Sequence, residues 1–480
     1  MLNLIEFIIL SALASILAAI VASRGQDRQP WWFKSRADFA TSWFSWGHEQ
    51  DMEATDDVVR DIKQLAECHE AAALLSDLIH QDGAGEWPPR SNHDYTSWPA
   101  ALRPYRDIYA EMAPLLPTSD LSLDDDVNRA RISTFRSGFQ TLLQERVNLA
   151  QVEQLLAAAE AGRWDVFPRD TYNGFYACIA WCRHAYRWAT IPVVRLAQLE
   201  KTLPLPPALL LPWTYLQRHF GLTSQSGNNM SNLVLNFSPS GVYTLHINTG
   251  LAPRITSSEE SFARVFHDVE RLALPVYHAV VHALLAHARA DLPGCLAHAR
   301  RVTALLRPLL SSYYDRVHDA QIARDVWLSR VQGFYGWGAG YEVEGEAGWV
   351  KFDGLSGNQV LLFMVLDAFL GLEPYLDEEN QRRNVPERQR RFCRAVERHS
   401  FRRRLGTEGV EGMVARELGE VVKRLRLFRT AHRTRAKVYL SQPAPERLPM
   451  TAGKSLLKSD MEQSLEYLDE FMVGRLAQTV

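Results

Sequence analysis

Residues 411–440 read EGMVARELGEVVKRLRLFRTAHRTRAKVYL. Val414, Leu418, Val421, Leu425 and Phe428 follow one another at spacings of three or four. That spacing lays one apolar stripe along a helix. His432 takes the next position on the stripe, and Ala436, Tyr439 and Leu440 continue it. A histidine on such a face is either a satisfied core side chain or a ligand for haem or metal. Arg429, one turn earlier, is the second polar residue on this buried side. A buried guanidinium needs an anion, either a carboxylate or a cofactor propionate.

Residues 349–372, WVKFDGLSGNQVLLFMVLDAFLGL, form a second dense segment. A Gly/Ser/Asn turn runs into an apolar helix interrupted by one charge, Asp367. Gly354 and Gly357 allow close backbone approach to a ligand. The plain reading is a helix N-terminus with an ordinary buried Asp, and pairing Asp367 with Arg429 would satisfy both. Helical spacing also covers 52–80, 136–161, 294–317, 319–335, 357–372 and 386–400. A long helix starts near Glu259, where Ser257 or Ser258 can cap it. Pro/Gly-rich breaks fall at 83–99, 114–119 and 203–213. Residues 235–248 resemble a short hairpin with Ser240-Gly241 as its turn. The expectation is an all-α chain in two helical lobes, with a break near 236–256.

Composition agrees with a folded protein. The chain has 480 residues, a net charge of −3 and 46% hydrophobic residues. Those values exclude wholesale disorder and collagen-like repeats, and the charge gives no case for nucleic-acid binding. Five cysteines are too few for a disulfide scaffold. The amino terminus differs in kind: Phe7–Ala22, FIILSALASILAAIVA, carries no charge and no Pro or Gly. It is short for a span, which needs about 20 apolar residues. Its positive charges follow it, at Arg24, Arg28, Lys34 and Arg36, with Trp31, Trp32 and Phe33 as an interfacial belt. By the positive-inside rule, residues 1–24 are a single-pass membrane anchor with the bulk of the chain facing the cytoplasm. The endoplasmic reticulum is the expected membrane. A cleaved signal peptide is the competing reading, but its positive n-region is missing.

Other clusters have plain readings. Cys178 and Cys182 lie one helical turn apart, yet no second pair completes a zinc site. His278 and His282 have the spacing of two helical metal ligands without the glutamate base of a helical zinc protease, and so read as packing histidines. Residues 382–404 hold ten arginines against two glutamates, a solvated helical face or a contact for anionic lipid. Cys393, flanked by Arg, Phe and Ala rather than glycines, makes a poor thiolate ligand for haem.

Taken in order, five segments resemble the indoleamine 2,3-dioxygenase family of haem proteins. SFARVFHDVE (261–270) resembles its distal helix. RVHDAQIARDVWLSRVQGFYGWGAG (316–340) resembles its I-H-D…R…G-W segment. FDGLSGNQVLLFMVLDAFLGL (352–372) resembles its F-x-G-G-S-x-G-x-Q…D-x-x-L-G segment. VPERQRRFCRAVE (385–397) resembles the stretch that follows, and RTAHRTRAKVYL (429–440) resembles the R-x-x-H helix. The resemblance covers roughly residues 230–480.

Beyond the anchor read at 1–24 from hydropathy and charge, the resemblance implies a small helical domain at 26–245 over the distal face and a large helical haem-binding domain at 250–480. It implies one haem b with His432 as the proximal iron ligand, and Arg429 on a propionate supported by Asp367. Asn358, Tyr314 and Val317 would also contact the haem, and Ser356 and Gly357 would lie at its distal edge. Phe262 would stack on the indole beside Phe266, and Thr451 and Gly453 would belong to a loop closing over the substrate. O2, an indole substrate and a reductant that keeps the haem ferrous are the implied partners. The activity implied is insertion of O2 across the indole C2–C3 bond, giving an N-formylkynurenine-type product. Three departures bear on substrate, and one is that SQSGNNMSN (224–232), where the family's distal aromatic should fall, holds no aromatic. The family's carboxylate-binding arginine precedes Gly-Trp by four intervening residues, whereas Arg330 precedes Gly336-Trp337 by five, and Val331 holds the matching position. On a regular helix that turns Arg330 by about 100°. Phe266 stands where the family has a small serine. Mono-oxygenation or rearrangement on the same fold, or O2 binding without turnover, are the alternatives.

Overall fold

The computed structural model describes residues 48–83, 87–118, 122–200, 202–336, 340–342, 349–351, 357–440 and 461–480. The expected anchor at 1–24, the aromatic belt, Ser356, Thr451 and Gly453 lie outside the described residues, as does the side chain of Asn358. Among the described residues the chain is all-α apart from one short antiparallel pair, Gly340–Glu342 with Trp349–Lys351.

Fourteen longer helices make up the described structure. They are α1 His48–Leu65, α2 Glu70–Gln81, α3 Arg103–Met112, α4 Asp125–Arg146, α5 Leu149–Glu160, α6 Arg169–Trp188 and α7 Pro207–Phe220, then α8 Pro253–Ala288, α9 Leu292–Arg316, α10 Leu361–Leu370, α11 Glu378–Asn384, α12 Glu387–His399, α13 Gly409–Leu440 and α14 Met461–Gln478. Side-chain caps explain why two expected helices are each divided. The run at 52–80 breaks before α2, where His69 Nδ1 accepts the Ala71 N–H. The run at 136–161 breaks at Asn148, whose side chain accepts from Gln151 and starts α5. The expected break at 203–213 is instead the start of α7, because a proline at the first helical position loses no hydrogen bond.

The expected hairpin at 235–248 forms a turn but no strands. Gly241 takes φ +74° and one bridge joins Phe237 to Tyr243. Side chains then take the backbone donors that a ladder would use. Asn236 Oδ1 accepts from the Leu245 N–H, and the Glu259 carboxylate accepts from Ile247 and Asn248.

α8 begins six residues before the expected Glu259, with Pro253 in its first turn. Ser258 therefore lies inside the helix and donates to the Arg254 carbonyl (2.7 Å). α8 is long and apolar enough to cross a membrane, and 72% of its most apolar stretch is buried inside the protein, the condition of a core helix. It packs along α9, and α9 packs on α13. α12 bridges α10 and α2. α6 is buried from Thr171 to Trp188, so its polar residues find internal partners. Arg183 donates to the Leu209 carbonyl, and Arg187 pairs with Glu200. Residues 57–480 form one compact unit.

The arginines of 382–404 are not simply a solvated face. Arg388 binds the fully buried Asp82, Arg398 pairs with Glu70, and Arg390 donates to the Val385 and Gly221 carbonyls. These contacts fasten α12 to its neighbours through charge-assisted bonds.

Candidate functional site

α13 carries His432 on its apolar face, as the spacing of that stripe requires. The ring lies near Tyr313 of α9 (centroids 5.7 Å) and parallel to Phe428, one turn earlier, at 6.1 Å and 12°. Phe428 in turn stacks on Phe363 of α10 (5.1 Å). The Tyr313 hydroxyl lies 3.4 Å from His432 Nδ1, and among the described residues Nε2 has no partner. Although some of the ring surface is accessible, the protein packed round it dehydrates it and lowers its pKa to about 4. His432 is therefore a neutral imidazole at neutral pH, the form that ligates a metal.

Asp367 and Arg429 meet. Arg429 Nη2 donates to both carboxylate oxygens (2.8 and 3.1 Å), and Nη1 donates to the Thr479 hydroxyl (2.7 Å). A residue that sequence reasoning missed completes the group: Arg475 of α14 binds the same carboxylate. Burial pushes the Asp367 carboxyl up while the two guanidinium groups pull it down. The expected division of labour is thus altered, because Asp367 neutralises two arginines and Arg429 already has two side-chain partners. Arg433 and Lys437 both bind Asp469, which ties α14 to α13.

The other expected residues sort into two groups. Phe262 and Phe266 pack edge to face on α8 (5.3 Å), and Phe266 meets Tyr313 (6.5 Å). A side chain at Gly357 would meet the Phe266 ring at 3.9 Å. A row of rings therefore runs from Phe262 through Phe266 and Tyr313 to His432. Tyr314 lies outside this row: it is exposed, and Arg435 covers its ring. Tyr313, its neighbour, is the tyrosine that reaches His432. Val317 is half-buried, and its carbonyl accepts from Arg435 (2.7 Å).

Arg330 lies in a π-helical turn, Trp327–Gln332. Such a turn closes i→i+5 and so holds one residue more than a regular turn. Arg330 Nη2 donates to the Thr118 carbonyl (3.1 Å).

The donor chemistry fits a haem. A neutral imidazole stands among aromatic rings, with Nδ1 near the Tyr313 hydroxyl and Nε2 unpartnered among the described residues. The thiols do not compete: burial pushes Cys393 and Cys182 well above the usual range, so neither supplies a thiolate. In comparisons with known proteins, no family model matches the chain, and no match to a curated protein is significant.

Proposed function

We propose that this chain is a haem-dependent oxygenase of the indoleamine 2,3-dioxygenase type, which inserts both atoms of O2 across the C2–C3 bond of an indole. The observation that carries the reading is the environment of His432: neutral, walled by Phe428 and Tyr313, and joined by a row of rings to Phe266 and Phe262. His432 Nε2 would hold the iron of haem b, with Tyr313 fixing the ring through Nδ1. When bound, haem supplies the iron chemistry that activates O2. The residues of this chain bind and orient. Phe262 offers a face for the indole, and Phe266 narrows the space that a small side chain would leave.

Arg330 is engaged by Thr118, which favours an indole without an amino-acid carboxylate over free tryptophan. In this reading residues 1–24 hold the enzyme on a membrane with residues 57–480 on its cytoplasmic side.

The test is an absorption spectrum of the protein expressed with ample haem supply, beside its His432→Ala variant. The expected result is a histidine-type Soret band that is lost in the variant. Equal haem content in both, or no haem in folded wild type, would overturn the reading. Product mass from an indole panel then separates insertion of two oxygen atoms from one.

A further inference from the structure

We propose that Asp61, His278 and His282 form a binding site for a divalent transition cation of the zinc class, separate from the neighbourhood of His432. His278 and His282 sit one turn apart on α8, and Asp61 reaches them from α1. Asp61 Oδ2 lies 2.6 Å from His278 Nε2 and 2.8 Å from His282 Nε2, and the two nitrogens are 2.9 Å apart. Three potential ligand atoms thus converge on one point, one from each residue. Hydrogen bonding alone serves this arrangement poorly. Both Nε2–H groups could point at Oδ2, but the two nitrogens would then be pressed together with no proton between them.

A cation completes the geometry. Placed about 2.1 Å from each atom, the usual bond length for imidazole nitrogen and carboxylate oxygen, it stands about 1.4 Å outside their plane. The angles between ligands are then about 75–90°, close to one face of an octahedron, and modest spreading reaches the tetrahedral set of zinc. Two imidazoles and a carboxylate suit borderline divalent ions and leave positions for water. The histidine side chains are about a quarter exposed and Asp61 is 40% exposed, so the ion has an entry path.

The supporting shell is ordered. The His298 ring stacks on His282 at 4.7 Å and 12°, which fixes the plane of one ligand. Burial lowers the pKa of His278, partly offset by Asp61. Burial of Asp61 is outweighed by its bonds to both histidines, and its carboxyl lies below the usual range. His278 follows Phe266 by twelve residues, about 18 Å along α8, so the ion cannot be the one that His432 would hold. Its place between α1 and α8 makes it a clamp on α1, whose Ile62 is fully buried beside it.

The experiment uses the full chain, stripped with a chelator and titrated with zinc against a chromophoric competitor. Wild type is expected to bind one equivalent. Asp61→Asn should weaken binding by at least about 10-fold and the His278→Gln/His282→Gln pair by at least about 100-fold, since loss of an outer-shell partner alone costs about 10–100-fold. His287→Gln, whose ring stacks on Phe401 instead, should bind as wild type does. Zinc should also raise the melting temperature of wild type and not of the double variant. No bound equivalent in wild type, or equal affinity in the double variant, overturns the proposal. Should the double variant fail to fold, Asp61→Asn decides in the same way. Haem loading does not enter the readout, so this result and that for His432 stand apart.

Discussion

Asp367→Asn is the sharpest perturbation of the charge cluster beneath His432. The carboxylate of α10 is 6% exposed and lies between Arg429 of α13 (11%) and Arg475 of α14 (7%). Asparagine keeps the shape and removes the charge, leaving two buried guanidinium groups without an anion. Removing one partner of a buried ion pair costs about 3–5 kcal/mol, because the remaining charge stays desolvated. Unfolding entropy grows with length at about 2.1 cal/mol/K per residue. For a unit as long as residues 57–480, a loss of about 1 kcal/mol lowers the melting temperature by about 1 °C. The variant should therefore melt about 3–5 °C lower, followed by thermal denaturation at pH 7. Adding Arg475→Met should restore part of the loss, since one unpaired charge then leaves the interior. A variant that melts within 1 °C of wild type, or a second substitution that lowers stability further, would refute the argument that Asp367 holds these helices together through charge.

The remaining predictions concern protonation and packing. His184 is buried against the Ser226 carbonyl (2.8 Å), and burial lowers its pKa to about 4, below the unfolded value of about 6.5. A depressed histidine supports folding above about pH 6.5 and loses that support as pH falls towards 4. At pH 5 the loss from His184 alone is about 2 kcal/mol, and His93 and His432 act in the same direction. Melting curves at pH 7 and pH 5 should show the drop, and His184→Gln should reduce it. Gly174→Ala should prevent close packing of α6, because the new methyl group would collide with the Asn92 carbonyl and press on Trp98. Overpacking of this kind costs about 1–3 kcal/mol or more, visible as a lower midpoint in urea.

Periodicity made the helices legible where one face is apolar. The α13 stripe placed Val414, Leu418, Val421 and Leu425 in the core, and all four are buried. It did not reveal α6, where Arg183, His184 and Arg187 interrupt the pattern and yet are buried, because their partners come from residues far along the chain. The hairpin reading held only next to its turn, where the antiparallel Phe237–Tyr243 bridge forms. Local turn chemistry was right at Gly241, but the Glu259 carboxylate, from the next helix, took the donors a strand would need.

By itself the sequence determined the helical class, the apolar face of α13 and the candidacy of His432, since these depend on spacing along one chain segment. It also marked Asp367 and Arg429 as charges in need of partners. Tertiary structure alone decided that they pair with each other and with Arg475, that Tyr313 rather than Tyr314 meets His432, and that Asp61 joins His278 and His282. Each of those outcomes depends on which face of one helix meets which face of another. Spacing within a helix specifies its own faces; only packing specifies what lies across from them.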